Sequence, residues 1–228
     1  MPDLDFTVTG VEAAVYGIVP LIHFKLAVTN KPENEPIESV LLQAQIQLQS
    51  TQRAYEPAEK EKLGELFGTP DRWGQTLRAR LWTHASATVR QFTGATEVVL
   101  SIPCTFDLNV SATKYFYALE GGEVPLLFLF SGTIFYKAED DRLQIQQVSW
   151  NKECAYRMPI AVWQEMMDEH YPNTAWLSLD RELFDRLYAY RRREGCSNWE
   201  ETIARLLLQP NESEESAASA AQPPALQT

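Results

Sequence analysis

The sequence predicts an α+β fold: an antiparallel β-sandwich or a strongly bent β-sheet, with a helical insertion and a C-terminal helical layer. Three observations carry this expectation. Segments across the first 158 residues alternate apolar and polar side chains with a period of two, which gives a strand one buried face. One wet face is a property of antiparallel sheets, whereas the strands of a parallel sheet are apolar on both sides. From residue 159 the apolar period becomes helical, and strand runs followed by helix runs define the α+β class.

The strands follow in order. Phe6 and Val8 alternate with Thr7 and Thr9. Leu21 to Thr29 sets Ile22, Phe24, Leu26 and Val28 on one face, and Ser39 to Gln49 sets Val40, Leu42, Ala44, Ile46 and Leu48 opposite a row of glutamines. Between them, Asn30 to Pro36 is turn chemistry. Pro57 suits the first turn of a helix, and Gly68 and Pro70 stop it, so 57–68 reads as a helical insertion. Asp71 to His84 has little periodicity and reads as a long, partly ordered connection into a strand near Ala85 to Gln91. Glu97 to Val110 is the longest alternating stretch and is expected to be a long central strand. Pro103, which has no N–H, marks a bulge, an edge or a break in it. Ala112 to Leu119 switches to helical spacing, with Gly121-Gly122 as its stop. Leu126 to Tyr136 is apolar on both faces and reads as the most deeply buried strand. Leu143, Ile145, Val148 and Trp150 alternate with a one-residue slip at Gln146-Gln147, the mark of a β-bulge. Cys154, Tyr156 and Met158 close the β region.

Three helices are expected between 159 and 208, packed on the sheet. The first is opened by Pro159 and carries Ile160, Trp163, Met166 and Met167. The second starts near Ser178 or Asp180 and ends in Arg191-Arg192-Arg193, cations at the end that the helix dipole favours. The third starts at Ser197, with Glu200 completing a capping box. Residues 209–228 are rich in Ser, Ala, Glu and Pro and are expected to be disordered.

Charge and cysteine usage narrow the function. The net charge is −11, and phosphate neutralisation needs clustered Lys and Arg, so nucleic acid is a poor partner. The longest apolar run, Val124 to Tyr136, is far short of the roughly 20 residues of a spanning helix. The acidic N-terminus has no basic segment before an apolar core, so no signal peptide is expected. Three widely spaced cysteines fit reduced thiols in a cytoplasmic protein better than a disulfide framework. Cys104 and Cys154 fall on inward faces, and Cys196, near Arg193, is the more exposed thiol.

No catalytic or metal signature is present. None of the three histidines, His23, His84 and His170, has the sequence context of a nucleophile's base. No Gly-x-Ser-x-Gly, Cys-x-x-Cys or His-Glu-x-x-His occurs. No cofactor is therefore expected. The connection Asp71 to His84 is the place to look for a site, because binding residues gather on loops held by a scaffold and Trp and Arg dominate interface hot spots. Its candidate partner-binding residues are Arg72, Trp73, Arg78, Arg80, Trp82 and His84. The competing reading, which carries more weight, is that Trp73 and Trp82 fold back over the sheet as a lid.

Pro20-Leu-Ile-His-Phe-Lys-Leu-Ala-Val-Thr-Asn30, Leu66-Phe-Gly-Thr-Pro-Asp-Arg-Trp-Gly74, Leu81-Trp-Thr-His84, Lys114-Tyr-Phe116, Pro125-Leu-Leu-Phe-Leu-Phe-Ser-Gly132 and Tyr171-Pro-Asn-Thr-Ala-Trp176 together resemble a bacterial family of no established activity, often encoded beside nickel–iron hydrogenase genes. The resemblance covers residues 1 to about 208 and implies an accessory role without transferring any functional residue. The expected function is a soluble, non-enzymatic accessory protein that binds another protein and assists hydrogenase assembly or maturation. The alternatives are a small-ligand or metal carrier with its site near Cys104, Cys154 or His84, and an enzyme of unrecognised type.

Overall fold

The alternating segments form strands, and every strand pair is antiparallel. A computed structural model describes residues 1–14, 17–104, 110–138, 142–175, 177 and 179–208; the expectations for residues 105–109, Ser178 and the tail beyond 208 lie outside these. The strands are β1 (Asp3–Ala13), β2 (Leu21–Lys31), β3 (Pro36–Leu48), β4 (Arg80–Val89), β5 (Phe92–Thr93), β6 (Ala95–Pro103), β7 (Glu123–Lys137), β8 (Leu143–Gln147) and β9 (Glu153–Pro159). The helices are α1 (Pro57–Phe67), α2 (Trp73–Thr76), α3 (Val110–Ala118), α4 (Ile160–His170), α5 (Arg181–Glu194) and α6 (Trp199–Leu207).

Two sheets result. One runs β1-β2-β6 and the other β4-β3-β7-β8, with β5 paired to β3 and β9 to β7. They pack through large apolar side chains. Phe6 stacks on Phe130 with centroids 4.6 Å apart, and Phe24 meets Phe128 and Tyr156 edge-on at 5.1 and 6.1 Å. The sandwich is therefore the realised form of the predicted class. At Gly132 in β7 the neighbouring strand β3 of the same sheet comes so close that a Cβ would lie 2.2 Å from the Leu41 carbonyl oxygen, at φ +150°. Only glycine fits there.

Three expectations are corrected. The stretch 97–110 is not one central strand: β6 ends at Pro103 on the edge of the smaller sheet, and Val110 opens α3. Proline cannot continue the hydrogen-bonded pairing, so the break falls where its N–H is missing. Second, Asp71 to His84 is more ordered than a connection: a 3-10 turn at Pro70–Arg72 leads into α2, and β4 already begins at Arg80. The alternation was hidden by a bulge. Thr83 pairs with Ile46 and Leu81 with Gln47, so Trp82 is an extra residue and the inward phase switches there. Third, no bulge occurs at Gln146-Gln147. β8 pairs in unbroken register from Leu143 to Gln147 and then ends. Leu143 and Ile145 are exposed, and Trp150 in the following turn is 94% exposed.

The helix α4 buries Ile160, Trp163, Met166 and Met167 and packs against β1, β2, β9 and α3. The first compact unit runs from Met1 to Asn173, so the boundary falls after α4 and not at residue 158. The second unit starts at Thr174 and contains α5 and α6. Asp180 caps α5 by accepting the Leu183 N–H at 2.8 Å, and Gly195 ends it at φ +64°. The start of α6 is capped by Asn198, one residue later than expected, while the Glu201 carboxylate reaches back to the Ser197 N–H. Trp199 is the hub of this hairpin, with Phe184 and Tyr188 against its ring and Arg191 over its face.

Candidate functional site

The most enclosed of the concave features described in the first unit lies beside the predicted insertion. It is a pocket of about 180 Å³ lined by Leu48, Ser50, Leu66, Phe67, Arg80, Leu81, Ser111, Ala112 and Tyr115. Four elements build it. The end of β3 supplies Leu48, the start of β4 supplies Arg80 and Leu81, the last turn of α1 supplies Leu66 and Phe67, and the first turns of α3 supply Ser111, Ala112 and Tyr115.

Each element is fixed by identifiable contacts. Glu56 and Glu59 form a reciprocal capping box that starts α1, and Gly68 ends it at φ +74°. Arg53 and Glu59 then tie α1 to the segment after α3. Arg53 Nη2 lies 2.6 Å from Glu59 Oε1 and also donates to the Gly121 carbonyl, Nη1 donates to the Glu123 carbonyl, and Glu59 Oε1 accepts the Glu120 N–H. Glu59 is 2% exposed. Such a pair is held by its geometry, because neither charge keeps its water.

Behind the pocket, an aromatic run links the helices to the sandwich. Tyr55, Phe67, Trp73 and Tyr115 contact one another edge-on, and Phe116 touches both Trp82 and Trp163. The Tyr55 hydroxyl donates to the Ser50 carbonyl at 2.7 Å, so the Tyr115 hydroxyl donates to Tyr55 across 2.9 Å. Burial pushes both phenols above their ordinary value, most strongly Tyr55, where the neighbouring Tyr115 adds to it. They serve as fixed donors and not as bases. The sign follows from linkage: the folded state holds these protons more tightly than the unfolded chain does. Their stabilisation is complete below the ordinary tyrosine value of about 10 and is lost as pH rises above it toward the folded values. Urea midpoints measured from about pH 8 to 11 should fall above about pH 10, and Tyr55→Phe should flatten that fall.

The predicted partner-binding residues divide. Trp73 and Trp82 are buried. Trp73 donates its indole N–H to the Gly68 carbonyl at 2.9 Å, and Trp82 sits between Phe24 and Phe116. Both act as the lid, and neither can anchor a partner on the surface. Arg72, Arg78 and His84 are exposed and do not converge. Arg78 donates through Nε to the Gln75 carbonyl, and His84 lies on β4 opposite Gln45. Arg80 alone joins the pocket. Its guanidinium lies 4.7 Å from the centre of the Phe67 ring and donates to the Leu66 carbonyl at 3.2 Å. Sequence reasoning missed Ser50, Tyr55 and Tyr115, since a pocket made by four elements far apart in the chain leaves no local signal.

The cysteines and histidines stay apart. Cys104 is buried, and burial pushes its thiol up to about 12. Cys154 is half-buried, with the Val8 N–H at 3.5 Å. Cys196 is buried, not exposed as expected, because it closes the α5–α6 turn against Arg191. All three are free thiols. Nδ1 of His23 lies 3.0 Å from the Ser101 hydroxyl, a cross-strand pair. His170 faces the Met166 and Gly17 carbonyls with its two ring nitrogens. Through these contacts the ring holds the Gly17 turn to α4. Among the described residues no three metal-ligating side chains cluster, and no helix is long and apolar enough to cross a membrane.

These features describe a two-sheet antiparallel sandwich with helices over one end, a small pocket with a single arginine, and a separate helical hairpin. The chain belongs to the family of unknown function DUF6084, whose model matches residues 1–215. No curated protein matches it. Among solved structures, the chain is similar to a putative late embryogenesis abundant protein, with 15% identity over 70% of this chain and 73% of that one and a TM-score of 0.28. It is also similar to β-glucosidase 3B from Thermotoga neapolitana in complex with α-D-glucose, with 11% identity over 68% of this chain and 17% of that one and a TM-score of 0.24. At those scores neither likeness bears on function.

Proposed function

We propose that this is a non-enzymatic accessory protein that docks a partner protein through the α5–α6 hairpin. The observation that carries the reading is the apolar stripe of that hairpin: Leu183, Phe184, Tyr188, Ile203, Leu206 and Leu207 are all more than a third exposed, and α5 buries none of its residues. Large contiguous apolar surface marks an interaction site. The stripe ends at Arg191, Arg192 and Arg193 in the last turn of α5, which suits a partner helix with an apolar face and an acidic flank. Free thiols throughout support a reducing, cytoplasmic setting. The resemblance to a family encoded beside nickel–iron hydrogenase genes supports a hydrogenase component or maturation factor as the partner.

The test is co-purification from a hydrogenase-expressing bacterium, with the full chain and its Phe184→Glu/Leu207→Glu variant compared by mass spectrometry. A hydrogenase component or maturation factor recovered with the wild-type chain and lost with the variant, at equal thermal stability, is the expected result. Recovery with both, or with neither, contradicts the proposal.

A further inference from the structure

The pocket's one charge is out of place. Acidic residues outnumber basic ones 31 to 20 in this chain, yet Arg80 has no carboxylate within ion-pairing distance among the described residues, and no acidic residue lines the pocket. The guanidinium carries five N–H donors. The Leu66 carbonyl takes one of them, and the ring of Phe67 occupies one of its faces. Among the described residues the rest of the fork has no hydrogen-bond acceptor. Around it the walls are Leu48, Leu66, Phe67, Leu81 and Ala112, with Ser111 at the exposed rim and two hydroxyl side chains that already have partners, Ser50 on the Arg78 carbonyl and Tyr115 on Tyr55.

We infer that this pocket binds a small organic monocarboxylate whose apolar body is no larger than a single ring. A carboxylate matches the two-pronged geometry of a guanidinium, and the bond is charge-assisted in a partly desolvated setting. Stacking on Phe67 and the bond to Leu66 fix the guanidinium plane in advance, so little rotamer freedom is lost when the anion arrives. The size limit comes from volume. An apolar cavity of about 150 Å³ holds a benzene-sized molecule, and this pocket of about 180 Å³ leaves room for such a body plus one carboxylate. A phosphate ester or a nucleotide is disfavoured, because one arginine would face two or more negative charges and the described lining holds no second cation. The pocket stands on different residues from the hairpin stripe, so either reading survives the failure of the other.

The test is calorimetric titration of the full chain with benzoate, benzyl alcohol and benzylamine. Benzoate should bind about tenfold or more tighter than benzyl alcohol, and benzylamine should not bind. Arg80→Gln should weaken benzoate by about tenfold or more without altering the weak affinity for benzyl alcohol. Ser111→Trp, a substitution at an exposed position on the rim, should obstruct both benzoate and benzyl alcohol and decides the matter if Arg80→Gln fails to fold. Equal affinities for benzoate and benzyl alcohol, unchanged benzoate binding in either folded variant, or no binding of any probe overturns the inference.

Discussion

Phe24→Ala should destabilise the protein by about 3–5 kcal/mol. Phe24 is wholly buried at the centre of the smaller sheet, and its ring meets Phe128, Tyr156 and Trp82 of the larger one. Deleting it removes the transfer free energy of a phenyl ring and leaves a void that three rigid aromatic neighbours cannot close by small movements. The loss extends past the sandwich, because Trp82 passes the contact on to Phe116 and so to α3. Urea unfolding measures it. By contrast, Phe184→Ala on the hairpin should move the same transition by less than about 0.5 kcal/mol, since that ring is half-exposed. A Phe24→Ala cost close to that of a surface substitution would mean that the two sheets do not face each other as described.

The second large effect belongs to Glu59→Ala, again about 3–5 kcal/mol. The gain from the Arg53–Glu59 pair is not the reason, since a buried pair gains little over apolar residues of the same shape. The reason is what removal leaves behind: a largely buried guanidinium with its main counter-charge gone, and a Glu120 N–H without its acceptor. Glu59→Gln, which keeps an acceptor and the shape, should recover part of the loss. The exposed pair Lys25–Glu12 provides the control, with both side chains about half exposed; its disruption should leave the urea midpoint almost unchanged.

How much of this was legible follows from where each signal resides. Strands with one wet face announce themselves, and β2 and β3 lie where their alternation puts them. Helix starts and stops at Pro57, Gly68, Asp180 and Gly195 were equally plain, because caps are local chemistry. What failed was everything that depends on a partner strand. The bulge at Trp82 inverts the inward phase of β4, and with Leu81 and Trp82 both apolar nothing in the chain marks it. Trp150 is apolar and in phase with its neighbours, yet β8 ends before it because the chain turns there, and β9 takes up the pairing with β7 from Glu153. The connection Asp71 to His84 borders the pocket, but its tryptophans turn inward and, of its candidate residues, only Arg80 lines it. Apart from Leu81, the remaining pocket residues come from segments on either side of it in the chain, Leu48 to Phe67 before and Ser111 to Tyr115 after. Sequence patterning over ten residues does not see such a juxtaposition.

The docking claim is tested most directly by amide hydrogen exchange of the full chain, free and mixed with the hydrogenase component that co-purifies with it. Protection newly gained within residues 181–207, with the sandwich unchanged, is the predicted result. Protection gained instead over residues 70–84, or along the exposed β8 edge and Trp150, would contradict the account and move the interface to the sandwich.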